Sequence, residues 1–223
     1  MSTESYDVLA RQFQGAPPGK LFMLRGSGST VFRLSLHLAS HALLQGIPIA
    51  LVDGSNRFDA YSIADVARQV TSRRLLRRPV RPEDLLRNIF VARAFTCYQM
   101  EATVTERLPA FVQRIKAPVA IIFGLLDTFY DEQAPFFEVK AGLERIITAL
   151  QRLKQENVSV LLASTDIRPA SQERNGLMPR VEKDMDRVYR VGEGEIDGKS
   201  NEPQRRRAAE DEPYYRNSDR MLY

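Results

Sequence analysis

A chain of 223 residues, 43% of them hydrophobic, suits one globular domain built around a single core. Its one cysteine, Cys97, excludes an internal disulfide and a cysteine-based zinc site, and the longest apolar run, 119–126, is far shorter than the ~20 residues of a membrane span. The formal net charge of +4, carried mostly by arginine, favours an anionic partner.

In chain order, "LFML" (21–24) is a buried strand, and "RGSGST" (25–30) is a glycine turn leading into "STVFRLSLHLASHALLQG", whose apolar residues recur at helical spacing. Gly46 and Pro48 end that helix. The strand "IPIALVD" (47–53) follows, then the helix "YSIADVARQVTSRRLL", the strand "NIFVARAF" (88–95) and the helix "EATVTERLPAFVQRI". After the strand "VAIIFGLL" (119–126), a long helix carries the stripe Val139, Leu143, Ile146, Ile147, Leu150 and Leu153, and "VSVLLAST" (158–165) is the last strand expected. From Gly192 onward the apolar period stops, which predicts a core domain over 1–192 and a charged, disordered tail over 193–223. Repeated strand-helix alternation predicts an α/β fold with a mainly parallel central sheet and helices on both faces.

Strand, glycine turn and helix form the setting of a phosphate-binding loop, G-x-x-x-x-G-K-[ST]. With Gly28 as its second glycine, Met23 stands at the first glycine, Ser29 at the lysine and Thr30 at the magnesium-binding hydroxyl. The lysine that meets the β and γ phosphates is absent. Gly26, Ser27, Gly28, Ser29 and Thr30 still offer backbone N–H groups and a helix N-terminus, which attract phosphate whatever the side chains are. Weak binding of magnesium-ATP is therefore the most this loop is expected to support, and no cofactor is required.

The segment "NIFVARAFTCYQME" (88–101), with its "ARAF" run, resembles a strand and helix start of the RecA/RadA recombinase family. "ALVDGSNRFD" (50–59) and "VSVLLASTD" (158–166) are similar to two further strands of that family, so the resemblance covers roughly residues 18–192. It implies a RecA-like P-loop NTPase fold. By the same resemblance the general-base glutamate falls on Ser55, the magnesium-linked aspartate on Gly124 and the glutamine that senses the γ phosphate on Asp166. The adenine-stacking arginine falls near Ser62, beside Tyr61. Phosphoryl transfer rests on such positioning and charge, so a degenerate paralogue with little or no hydrolysis is expected.

The family's two DNA-binding loops correspond here to 128–138, which is acidic and aromatic, and 166–184, which carries Arg168, Arg174 and Arg180. The densest basic run is elsewhere, at 72–87. There Arg73 with Arg77, and Arg74 with Arg78, are spaced to form one ridge on a helix. These seven arginines are the expected DNA contacts, with single strands as the expected ligand and a recombinase or paralogue as the expected protein partner. His37 and His41 are spaced to share a metal, but no third ligand is evident, so they read as polar residues of a partly exposed helix face and no metal site is expected. Cys97 reads as a buried small side chain.

The function expected is that of a recombination and repair accessory that binds DNA or a partner recombinase. One alternative is an active ATPase with Asp53 or Asp127 on magnesium. Another is a regulatory interaction module that binds no nucleotide and docks through Phe129, Tyr130, Phe136 and Phe137. No N-terminal signal pattern is present, so the expected location is the cytoplasm or nucleoid of a prokaryote, or the nucleus of a eukaryote.

Overall fold

A computed structural model describes residues 18–72, 79–192 and 196–200. Seven strands form one sheet in the order β3-β2-β4-β5-β1-β6-β7. They are β1 (Leu21–Gly26), β2 (Ile49–Asp53), β3 (Ile89–Arg93), β4 (Val119–Phe123), β5 (Ser159–Thr165), β6 (Arg187–Val191) and β7 (Ile196–Ser200). All neighbouring pairs are parallel except β6 with β7.

The central strands are apolar at nearly every position because both faces are covered. Phe22, Leu24, Leu51, Ile121 and Leu161 face one layer, made by α1 (Gly28–Leu44), α2 (Ala60–Ser72) and α3 (Pro82–Leu86). Leu21, Met23, Val52, Ile122 and Leu162 face the other. That second layer holds α4 (Cys97–Ala102), a π-helical turn (Thr103–Arg107), α5 (Leu108–Ile115), α6 (Leu125–Phe129), α7 (Phe136–Gln155) and α8 (Leu177–Lys183). The expected stripe on α7 is buried at every position from Val139 to Leu153. On α1 the buried Ser35 and Ser40 hydroxyls donate to the carbonyls of Val31 and Leu36, so neither is left without a partner.

The five expected strands are present, and the sheet goes further. β6 and β7 were not foreseen, and β7 lies inside the segment assigned to the tail. Its five residues pair antiparallel with β6 from Val191↔Ile196 to Arg187↔Ser200, so the sheet runs past residue 192. The expected strand 119–126 stops at Phe123, where Gly124 turns left-handed and α6 starts. Among the described residues no helix is long and apolar enough to cross a membrane.

Candidate functional site

The strands β1, β2, β4 and β5 direct their carboxyl ends to one edge of the sheet, where open parallel sheets usually place ligands. At this edge β1 passes into α1 through a single residue, Ser27. Met23, at the first glycine position of the phosphate motif, is fully buried and paired with Leu162 on one side and Val188 on the other. Residues 23–26 are therefore strand, leaving no chain to wrap a phosphate. Gly26 belongs to the sheet: a Cβ there would lie 2.2 Å from the Val191 carbonyl oxygen, and its own carbonyl accepts the Asp166 N–H at 3.1 Å. The Ser27 carbonyl accepts the N–H groups of Thr30 and Val31 at 3.1 and 3.0 Å, while the Ser27 hydroxyl donates to Thr30 Oγ1 at 3.0 Å. What remains for an anion is the first turn of α1 at Gly28 and Ser29.

The side chains around this edge are committed mostly to one another. Arg25 pairs with Asp166 at 2.6 Å and with Glu182 at 2.6 Å. Asp166, where the resemblance placed the γ-phosphate sensor, thus faces a guanidinium. Asp53 is 0% exposed, and its carboxylate accepts the amides of Ser55, Arg57 and Phe58 at 3.2, 3.1 and 2.8 Å. These bonds shape the loop after β2 and engage both oxygens of Asp53, the expected alternative magnesium ligand.

Asp127, in the first turn of α6, is the less committed acid. Burial pushes its carboxyl above the ordinary value; the Thr165 hydroxyl, donating at 3.5 Å, and the nearby Arg57 charge work the other way. Gly124 precedes it at φ +58, and a Cβ there would lie 2.5 Å from Ser55 Cβ, so the loops after β2 and β4 touch. Tyr130 closes this corner, its hydroxyl pushed up to about 12 by burial, with Arg25 opposing the shift and Asp127 and Asp166 adding to it. Tyr61, the expected stacking residue, is exposed. Among the described residues no group of three or more histidine, cysteine or acidic side chains is placed to hold a metal.

The arginines do not gather into one surface. Arg73, Arg74, Arg77 and Arg78 lie outside the described residues. Arg168 is exposed on the loop after β5. Arg174 is a correction: it is 2% exposed and donates to the carbonyls of Phe129 and Ala134 at 2.5 and 2.6 Å, which turns it inward as the brace between two loops. Arg180 is bound to Glu144 at 2.6 Å and to Asp184, so its charge is already matched. The aromatic loop likewise turns inward. Phe129 is buried and Phe136 packs on the core, which leaves Phe137, 72% exposed, as the outward-facing ring.

A second site was not legible beforehand. β3 forms an edge of the sheet. The Ala94 amide donates to Asp53 O and the Asn88 carbonyl accepts from Ile49, so even-numbered residues of β3 bond to β2. Ile89, Val91 and Arg93 therefore turn their N–H and C=O groups outward, with no strand beyond them among the described residues. Beside this edge lies a groove of about 520 Å³, with Ala50, Val52, Phe90, Ala92, Leu108 and Phe111 in its lining. Phe90 and Phe111 meet edge to face with centroids 5.4 Å apart, and the Arg114 guanidinium covers Phe111 at 4.9 Å.

The groove's helical wall changes register at the π-turn 103–107, where the Leu108 N–H reaches the Thr103 carbonyl. Pro109 is the local cause, because it lacks the N–H that would bond one turn back. Pro109 within the helical pattern, and the unbroken apolar run "IFVA", were the available signals. No protein-family model matches this sequence, and no curated protein matches it either.

Proposed function

We propose that this protein is a non-hydrolysing, RecA-like accessory factor of recombination or repair that acts by binding a partner recombinase. The open β3 edge beside an apolar groove carries this reading. An edge with free alternate N–H and C=O groups accepts an added strand through main-chain bonds, while the adjoining groove selects the side chains that strand presents. The π-turn in the groove wall adds support, because such turns recur at functional sites. A RecA-like core is supported by the resemblance over 18–192 together with the carboxyl-end placement of the residues aligned to the ATP site.

The one-residue β1 to α1 connection, the missing lysine and the commitment of Asp53 speak against turnover. Losing one electrostatic group of such a site typically costs about 100- to 1000-fold in rate. DNA contact in this reading rests on Arg73, Arg74, Arg77 and Arg78, with Arg168 adding to it.

The test measures binding of the purified recombinase from the same organism to immobilised protein. Val91→Pro removes an outward N–H and leaves the bonds to β2 intact, and Ala92→Glu puts a charge into the groove. Each is expected to weaken binding at least tenfold with the unfolding midpoint retained. Wild-type-like binding by both, or no binding by the wild type, sinks the proposal. Magnesium-dependent ATP turnover would favour the active ATPase instead. Replacing the four ridge arginines with alanine is expected to lower DNA affinity and flatten its salt dependence.

A further inference from the structure

We propose that His37 and His41 form a two-imidazole chelate for a divalent first-row transition cation, with water completing the coordination. The two residues sit one turn apart on α1, each half-buried, with their Nε2 atoms 3.1 Å apart and their rings 4.8 Å apart at 77°. Two nitrogens at that separation, each about 2.0–2.1 Å from a common ion, subtend about 100° at it. That value lies between the right angle of a square-planar or octahedral centre and the tetrahedral angle, so the nitrogen separation suits two neighbouring coordination positions once the imidazoles turn from each other toward the ion.

The same contact shows why a cation gains from the pair. In the free protein the facing nitrogens bond only while one carries a proton and the other does not. Metal binding moves that proton to Nδ1 of the same ring, which stays a neutral imidazole, and leaves both Nε2 lone pairs to the ion. His41 lies in the last turn of α1, where the helix dipole favours positive charge. Arg33, one turn toward the N-terminus, is the opposing charge on the same stripe. With imidazole as the donor, affinity should follow the usual order, Cu(II) above Ni(II) and Zn(II), and magnesium should not bind there.

These are the only two histidines in the chain, and Cys97, the only thiol, is buried, so imidazole coordination reports this pair directly. The experiment uses full-length protein freed of any histidine tag, titrated with Cu(II), Ni(II) or Zn(II) chloride. The expected result is one ion per chain, a Cu(II) resonance spectrum split by two nitrogens, and an unfolding midpoint that rises with metal and returns with EDTA. His37→Gln and His41→Gln are each expected to weaken binding at least tenfold while leaving the midpoint in EDTA unchanged. Where a variant loses stability, the two-nitrogen splitting in the wild type decides instead. Absence of binding by the wild type, binding that survives both substitutions, or a spectrum with fewer than two nitrogens overturns the assignment.

Discussion

Gly26→Ala separates a glycine kept for phosphate from one kept for the sheet. The added Cβ would lie 2.2 Å from the Val191 carbonyl oxygen and 3.1 Å from its carbon. Both atoms are backbone of β6, held in register opposite Gly26, so no side-chain rotation relieves the overlap. The backbone at φ +153 adds a conformation that side chains rarely adopt. Overpacking costs about 1–3 kcal/mol and strained backbone about as much again, with up to ~1.5 kcal/mol more if a ladder bond opens. The expected loss is therefore about 4 kcal/mol, or a Tm lowered by about 10 °C for a domain of this size.

Gly28→Ala is the control. Its Cβ would meet only Thr165 Cγ2 at 3.1 Å and the Phe32 ring at 3.9 Å, and alanine at a helix start offsets that crowding, so the change should stay within about 1 kcal/mol. Urea unfolding of both variants, with and without magnesium-ATP, measures the difference. A Gly26→Ala loss below about 1 kcal/mol, or one seen only with nucleotide present, would refute the steric account.

Ser29→Lys restores the motif's charge but not its loop, and phosphate release is expected to stay at background; turnover in this variant would mean that residues 23–26 can leave the sheet. Asp127 holds its proton more tightly folded than unfolded, so its contribution favours the fold below the unfolded value of about 3.9 and is lost as pH rises through the raised folded value. Asp127→Asn should therefore raise the urea midpoint at pH 7 and leave it nearly unchanged at pH 3, and an equal shift at both would contradict burial as the cause. Arg174→Met leaves the Phe129 and Ala134 carbonyls without their donor, a loss of about 3 kcal/mol by thermal unfolding, whereas Arg168→Ala should be neutral. Reduced DNA affinity in Arg174→Met, measured where the variant is folded, would return Arg174 to the nucleic-acid surface.

The sequence by itself determined five of the seven strands and the long helices, because the strands β1, β2, β4 and β5, buried on both faces, must be apolar nearly throughout and a helix packed on one face must repeat its apolar residues. It also showed serine at position 29, where a phosphate-binding loop would carry lysine. Elements fixed by pairing with distant partners escaped it. β7 is short and polar and exists through its ladder to β6, and the Arg174 position looks like any loop arginine until two carbonyls 40 and 45 residues away close on it. The one-residue link from β1 to α1 was likewise decided in three dimensions, since only pairing with β5 and β6 shows that residues 23–26 are strand. The same holds for the β3 edge: "IFVAR" reads as a buried strand, and only the strand order leaves one side of it open. Local pattern records what a residue must bury; the tertiary structure alone decides which neighbour buries it and which surface is left for a partner.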